Sequence, residues 1–280
     1  MLLRMFVLLA LVLSAGICLL LDAFCSYTWL WLLPLLGLGF TVVFWLITFL
    51  FLLILCKRVD QDQEQEVDDP LYRKVAELVI ESVIPMVRVS VKTKGLEKVP
   101  AEGRFMLVCN HVNDLDPAPI LYALPGRQLA FIAKKEVRDM FIVGPVLHKL
   151  LGQFIDREND RAALKTIIKC IRILKENQAS IAVFPEGGIF ADRKLHHFRP
   201  GVFKIAQKAE VPIVVCTLRN TRYLIDNLLH YKPSDVELRV LTVIPAEELK
   251  GVTTTDIADR VYKLMAEDLG PENVAQEQNT

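Results

Sequence analysis

The sequence has no net charge and none of the cysteine spacings that mark a disulfide framework or a zinc site. Basic and acidic residues both number 33 in 280, so overall charge favours no class of partner. The six cysteines lie in apolar or helical patterns without a C-x-x-C pair, which predicts small buried side chains in a reducing compartment. The G-x-S-x-G motif of serine hydrolases is also missing, so a nucleophile elbow is excluded.

Charge is distributed unevenly along the chain. Residues 70–220 contain 24 basic and 15 acidic residues, whereas residues 221–280 contain six basic and eleven acidic ones. The basic surplus favours an anionic substrate or an anionic membrane surface. Nucleic acid is the weaker alternative, because no stripe of basic and aromatic residues accompanies the charge.

Two apolar runs predict a membrane hairpin in residues 1–58. The first run, about 5–21, is close to the shortest that spans a hydrocarbon core of about 30 Å. The second lies at about 35–56, and Pro34 with the nearby glycines predicts an irregular start to it. A cleaved secretory signal is less favoured, because no small-residue cleavage site follows the first run.

Basic residues flank the two runs on one side only. Arg4 precedes the first run, and Lys57 with Arg58 follows the second. Both flanks of a hairpin lie on the same face of the membrane, and the positive-inside rule makes that face cytosolic. We therefore expect an integral membrane protein whose remaining chain is on the cytosolic face.

Beyond the hairpin the pattern predicts an acidic linker at 59–69, an α/β domain at 70–270 and a flexible tail at 271–280. The linker has six acids without periodicity and is expected to be a solvated connector. Strands alternating with helices indicate a mixed sheet flanked by helices. The predicted strands are 87–93, 105–109, 129–133, 154–155, 180–184, 211–218 and 236–244. The predicted helices begin at 70 and then cover 118–124, 140–151, 161–175, 201–209 and 254–269.

His111 and Asp116 lie on either side of a predicted strand-to-helix turn. The buried strand 105–109 ends just before His111, and Asp116 is expected to cap the helix that begins at Pro117. A carboxylate five residues from a histidine in such a turn can fix the imidazole tautomer and stabilise the imidazolium. No serine, threonine or cysteine lies in the turn, so the substrate is expected to supply the attacking hydroxyl.

The pattern His111-x-x-x-x-Asp116 resembles the first motif of the glycerolipid acyltransferases. Three further blocks resemble that family in order: Gly-Gln-Phe-Ile-Asp-Arg at 152–157, Phe-Pro-Glu-Gly at 184–187 and Val-Pro-Ile-Val at 211–214. The resemblance covers roughly residues 90–245. It implies the family's α/β fold, with His111 and Asp116 as the catalytic pair.

The same resemblance implies the substrate-binding residues. Arg157 ends the block that binds phosphate in the family, and Glu186 with Gly187 inherits a role in the acceptor site. The family usually continues with Thr and Arg, whereas this chain has Gly188-Ile189-Phe190. The nearest cations are Arg193 and Lys194, so we expect Arg193 to take over part of the phosphate contact.

The resemblance thus implies an O-acyltransferase of phospholipid biosynthesis. The expected reaction moves an acyl chain from acyl-CoA or acyl-carrier protein to the sn-2 hydroxyl of 1-acyl-glycerol-3-phosphate (lysophosphatidic acid), giving phosphatidic acid. Expected partners are membrane lipids, that acceptor and the thioester co-substrate, with no nucleic acid, metal or other cofactor. Alternatives are another acceptor such as glycerol-3-phosphate, a membrane-anchored lipid or thioester hydrolase, and a non-enzymatic lipid-binding scaffold. The His–Asp pair argues against the scaffold, because binding alone needs no general base.

Overall fold

A computed structural model describes residues 2–275 of the chain, with the side chains of Leu3, Ala23 and Cys25 left undescribed. The chain divides into two compact units, Met1–Asp60 and Gln61–Thr280. The first consists of two packed apolar helices, and the second contains the sheet and the sequence motifs.

The N-terminal unit is a helical hairpin built from α1 (Leu2–Leu20) and α2 (Trp29–Lys57). Phe6, Ala10, Ser14 and Cys18 recur every four residues on α1 and form its buried stripe. The Phe6 ring lies 5.4 Å from that of Phe44 on α2, so the two helices pack through aromatic contacts.

Helix α2 begins earlier than the sequence indicates. The expected irregular start near Pro34 is wrong, because the helix runs from Trp29 through this proline. Pro34 removes only one backbone donor, close to the helix start, and helix formation satisfies the polar groups around it. By length and composition α2 is the one helix within residues 2–275 that could cross a membrane, since the apolar helix Arg4–Leu20 is shorter.

The second unit is organised around a mixed seven-stranded sheet flanked by helices, as the sequence predicts. Its strand order is β1-β7-β6-β2-β5-β3-β4. Strands β6, β2, β5, β3 and β4 run parallel, and β7 with β1 runs in the opposite direction. The strands are β1 (Val89–Lys94), β2 (Met106–Val108), β3 (Leu129–Lys134), β4 (Gln153–Ile155), β5 (Ser180–Val183), β6 (Ile213–Arg219) and β7 (Ser234–Ile244).

Helices cover both faces of this sheet. They are α3 (Pro70–Met86), α4 (Pro117–Ala123), α5 (Val143–Lys149), α6 (Asp160–Lys175), α7 (Lys204–Ala209), α8 (Leu224–Leu229) and α9 (Thr254–Leu269). Strand β2 shows how the core divides, because its alternate side chains enter two clusters. Met106 and Val108 pack with residues of α6, α7 and α9, while Leu107 packs with residues of α3 and α4. The strand is thus buried on both faces, as its continuous apolar run predicts.

The acidic segment 59–69 is largely exposed, as its composition predicts, but several of its acids pair with basic residues of the second unit. Asp62 pairs with Arg138, and Glu64 pairs with Arg172 of α6. Asp68 is buried and accepts two hydrogen bonds from the buried Arg73 guanidinium, at 2.5 and 3.2 Å. Composition does not predict these contacts, of which the buried Asp68–Arg73 pair is the one expected to contribute most to stability.

Part of the expected flexible tail is ordered. Pro271–Asn273 forms a short 3-10 helix, and Val274 forms a β-bridge with Leu195. Residues 276–280 lie outside the described residues, so the prediction for them stays a prediction.

The buried Asp68–Arg73 pair generates a stability prediction. Asp68→Ala leaves the Arg73 guanidinium buried without its carboxylate, which should cost about 3–5 kcal/mol of unfolding free energy. Asp62→Ala is the matched control, because it removes an exposed acid of the same segment and should cost less than about 1 kcal/mol. Denaturant unfolding of the purified variants in detergent measures both. Equal losses of unfolding free energy in the two variants would contradict the conclusion that the buried Asp68–Arg73 pair stabilises the fold more than the exposed Asp62 does.

Candidate active site

Five parallel strands bring the sequence motifs to one edge of the sheet. Val108 of β2 is paired with Val183 of β5, so the residues that follow these strands meet at their carboxyl ends. His111 follows β2, Glu186 follows β5 and Arg157 follows β4. Ligands of open α/β sheets bind at this edge.

A single buried oxygen of Asp116 organises the turn around His111. Asp116 Oδ2 accepts hydrogen bonds from the backbone amides of Val112 at 2.8 Å and Asn113 at 2.9 Å. The same oxygen lies 3.0 Å from His111 Nδ1. The Asp116 side chain is fully buried, and its Oδ1 has no hydrogen-bond partner within residues 2–275. The predicted His111–Asp116 pair is therefore formed.

The expected helix-capping role of Asp116 is wrong. Its backbone is helical, and its side chain makes no capping hydrogen bond to α4. The carboxylate instead turns back towards the preceding loop, where three donors converge on it. Of the two donors that a cap would satisfy, the Ala118 N–H donates to the Leu115 carbonyl at 3.0 Å, and Pro119 has no N–H.

The His111 ring is held on two sides. Its Nδ1 faces Asp116, and its plane stacks on Phe184 with ring centroids 4.1 Å apart and an interplanar angle of 15°. A carboxylate at Nδ1 selects the tautomer with the proton on that nitrogen, which leaves the Nε2 lone pair available. The imidazole side chain is 17% exposed, so a substrate proton can reach it.

Glu186 stabilises the catalytic turn through a hydrogen bond to its backbone. Its Oε2 accepts the His111 backbone N–H at 2.8 Å, and its side chain is buried. Burial raises the pKa of this carboxyl well above its ordinary range, and the negative Asp116 nearby raises it further. Glu186 thus positions the turn, and its expected role in the acceptor site stays a prediction.

Cys109, two residues before His111, is not a suitable nucleophile. The side chain is fully buried, and that burial raises the pKa of its thiol well above the ordinary range. A buried thiol with little thiolate is unreactive. The site therefore offers a base without a protein nucleophile beside it, as the sequence predicts.

Arg157 lies on the β4 and β5 side of the edge, beside the loop that follows Glu186. Its guanidinium lies 3.5 Å from the position that a Cβ on Gly188 would occupy. The neighbouring acid Asp156 pairs with Lys135 at 3.0 Å, so it is not a partner of Arg157. Burial lowers the Arg157 pKa, and the positive charge of Arg199 lowers it further. The arginine fork is thus available to an anion.

Arg193 is not among the residues that lie against Gly187 and Gly188, and its expected part in the phosphate contact stays a prediction. Its guanidinium donates to the Arg222 carbonyl and lies 3.7 Å from the Asp226 carboxylate of α8. It also lines a cavity of about 500 Å³ between the carboxyl end of β6 and the beginning of β7. Asn110 and Val112 reach that cavity, whereas neither His111 nor Arg157 lines it. We therefore do not place acyl transfer in this cavity.

Two positioning residues were missed by sequence reasoning. Asn110 ties the turn to β6, because its side chain accepts from Leu218 N at 2.7 Å and donates to Leu218 O at 3.0 Å. Phe184 provides the ring beneath His111. The parallel register of β2 and β5 would have placed Phe184 beside the turn, but strand order is not visible in the sequence.

The chain resembles known acyltransferases. Residues 90–219 match the acyltransferase family model. The chain is 26% identical over 193 residues to 1-acyl-sn-glycerol-3-phosphate acyltransferase alpha of Bos taurus, a match that covers 69% of this chain and 67% of that protein. It is 27% identical over 174 residues to the 1-acyl-sn-glycerol-3-phosphate acyltransferase of Borreliella burgdorferi, over 60% and 69% of the two chains.

A solved structure shares the fold. It is the 1-acyl-sn-glycerophosphate (LPA) acyltransferase PlsC of Thermotoga maritima, with a TM-score of 0.59 and 24% identity. The match covers 78% of this chain and 85% of that one. This likeness confirms the predicted mixed α/β fold.

Burial of Glu186 generates a pH prediction. Because its pKa is raised in the folded state, the folded state binds more protons and its unfolding free energy falls as pH rises above about 4.3, the ordinary glutamate value. Glu186→Gln lacks this ionisation, so its stability relative to the wild type should improve from pH 5 to pH 8. Denaturant unfolding across this range measures the change.

Glu247→Gln, at an exposed position, is the matched control and should keep the wild-type pH dependence. A Glu186→Gln profile parallel to the wild type would show that Glu186 does not resist ionisation in the fold.

Proposed function

We propose that the chain, whose residues 90–219 match the acyltransferase family model, transfers a fatty acyl group from a thioester to the sn-2 hydroxyl of 1-acyl-glycerol-3-phosphate, giving phosphatidic acid. The carrying observation is the His111–Asp116 pair with a partly exposed imidazole and no reactive protein nucleophile beside it. The named activity of the bovine and bacterial relatives supports this acceptor.

In the proposed step, His111 Nε2 removes the proton of the acceptor hydroxyl while the hydroxyl oxygen attacks the carbonyl carbon of the thioester. The new C–O bond forms, the C–S bond breaks, and the imidazolium returns the proton to the leaving thiolate. Asp116 holds the imidazole in the required tautomer and stabilises its positive charge. A positioned base supplies about 10²–10⁴-fold, so proximity of the two substrates must supply much of the remainder.

The donor is proposed to be acyl-CoA or acyl-carrier protein. Both carry the acyl group as a thioester, whose thiolate leaves more readily than an alkoxide. The proposed step requires this co-substrate and no further cofactor, since His111 and the substrate hydroxyl supply the base and the nucleophile.

The apolar α2 favours membrane association, and we extend this to an integral hairpin with the sheet-containing unit on the cytosolic face. The basic residues Arg4, Lys57 and Arg58 at the open end of the hairpin support this orientation. Such an anchor would keep the site next to an acceptor that itself resides in the membrane.

An acceptor panel tests the reaction directly. Purified protein in detergent is given labelled acyl thioester with lysophosphatidic acid, glycerol-3-phosphate, another lysophospholipid or no acceptor, and labelled products are separated. We expect labelled phosphatidic acid with lysophosphatidic acid and little release of fatty acid without an acceptor. Fatty acid release that no acceptor changes would favour the hydrolase alternative, and preference for another acceptor would replace the proposed one.

The catalytic pair generates a kinetic prediction. His111→Ala should reduce transfer to background, and Asp116→Asn should lower kcat far more than it raises acceptor KM, since the carboxylate is needed mainly in the transition state. His230→Ala, an exposed histidine of the same unit, is the control and should keep wild-type rates. Folded His111→Ala protein with near wild-type kcat would refute the assignment.

The proposed orientation has its own test. A protease-sensitive site placed after Thr280 should resist externally added protease in intact cells and become cleavable once the cells are opened. Cleavage in intact cells would contradict the cytosolic orientation while leaving the chemistry unaffected.

A further inference from the structure

The loop after Glu186 has Gly188 and Ile189 where the resemblance leads to an expectation of Thr and Arg, so it contains two consecutive glycines, Gly187 and Gly188. Gly187 and Gly188 provide no cation, and Arg193 is held by Arg222 and Asp226 at the β6 end of the sheet edge. A phosphorylated acceptor at this loop would therefore need a cation from another part of the chain.

Arg199 lies directly against the first of these glycines. Its backbone N–H donates to the Pro185 carbonyl at 2.8 Å, which fixes the residue beside the loop. A Cβ on Gly187 would lie 2.7 Å from Arg199 Nε and 2.8 Å from Cδ. The Arg199 side chain thus crosses Gly187 in the space that a side chain there would fill. Gly187 also has φ of +78°, which favours glycine.

Arg157 lies against the second glycine, so each of the two glycines has a guanidinium over it. The Arg157 Nη1 atom lies 3.5 Å from the Cβ position of Gly188. Within residues 2–275 neither guanidinium has a hydrogen-bond or salt-bridge partner, whereas Arg73, Arg138, Arg172, Arg193, Arg219, Arg239 and Arg260 all have an acidic one.

We propose that Arg199 supplies the cation that the glycine-containing loop lacks and completes the binding site for the phosphomonoester of the acceptor, beside Arg157, whose phosphate contact the family resemblance already implies. The proposal rests on the proposed function and names the residues that recognise the phosphate of the acceptor. A phosphomonoester carries nearly two negative charges and three acceptor oxygens, so it can engage two guanidinium groups at once.

The electrostatics of the pair favour such a ligand. Two nearby guanidinium groups repel each other, and Arg199 is a cause of the lowered Arg157 pKa, after burial. A dianion between them would remove that repulsion and replace water around the half-buried Arg157. The glycines allow the phosphate to approach the backbone of the loop closely. A neutral acceptor would offer none of these gains.

The test compares acceptors that differ only in the phosphate. Arg157→Ala and Arg199→Ala should each raise the KM for lysophosphatidic acid by about 10- to 100-fold, since a hydrogen bond to a charged group contributes about 1.5–3 kcal/mol. The KM for the phosphate-free 1-acylglycerol and the KM for the donor should change less than about twofold. Arg199→Lys should restore part of the loss, because a point charge cannot reproduce the fork.

Arg127→Ala is the matched control. It removes an arginine just before β3, at the opposite edge of the sheet, and should leave the KM for lysophosphatidic acid unchanged. Thermal unfolding of each variant checks that the protein remains folded. An unchanged KM for lysophosphatidic acid in folded Arg199→Ala, with an increase in Arg157→Ala, would overturn the paired site.

Calorimetric binding of glycerol-3-phosphate separates this proposal from the proposed function. Binding that weakens in both arginine variants supports the paired site even if no transfer to lysophosphatidic acid is found. The opposite result is an Arg199→Ala variant with wild-type transfer, an unchanged Kd for glycerol-3-phosphate and an unchanged KM for lysophosphatidic acid. It would be consistent with the proposed function and would refute the paired site.

Discussion

The geometry of the catalytic turn depends on one carboxylate oxygen. Asp116 Oδ2 receives two backbone amides and the His111 ring nitrogen, and all three lie within five residues of it in the chain. Burying a charged carboxylate is costly, and the hydrogen bonds that it accepts offset that cost. The same contacts that close the turn therefore fix the imidazole, so folding and catalytic geometry are not separable here.

A second carboxyl group holds the other side of the turn. Glu186 binds the His111 backbone, while Asp116 binds its ring. Because burial, and after it the nearby Asp116, raise the pKa of Glu186, the two acids cannot both be ionised cheaply in the buried site. Glu186 is therefore a positioning residue, and Arg157 and Arg199 are left as the cations that face the loop following it.

Much of the fold could be predicted from the sequence, because the predicted strands are apolar or alternate and are bounded by polar turns. The strand predicted to begin at residue 129 begins there as β3, and the predicted helix 254–269 coincides with α9. The six-residue α8 was missed, since so short a helix has too few residues to show periodicity. The order of the strands could not be predicted, because it depends on long-range packing.

The contacts that sequence reasoning missed have a common physical cause. The segment 59–69 was assigned from composition, which does not predict that its acids pair with basic residues far along the chain. Arg193 was favoured because it is the nearest cation in sequence, whereas Arg199 is the one that crosses Gly187. The His111–Asp116 pair was predictable because its two members are five residues apart and meet within one turn.

The central claim is that the acceptor hydroxyl attacks the thioester directly, with His111 as the base. The most direct measurement is intact-protein mass spectrometry after rapid mixing of the purified protein with acyl thioester in the absence of acceptor. The account predicts no acylated protein, followed by transfer of the acyl group to lipid when lysophosphatidic acid is added. An acyl-protein adduct that forms rapidly and passes its acyl group to the acceptor would contradict it.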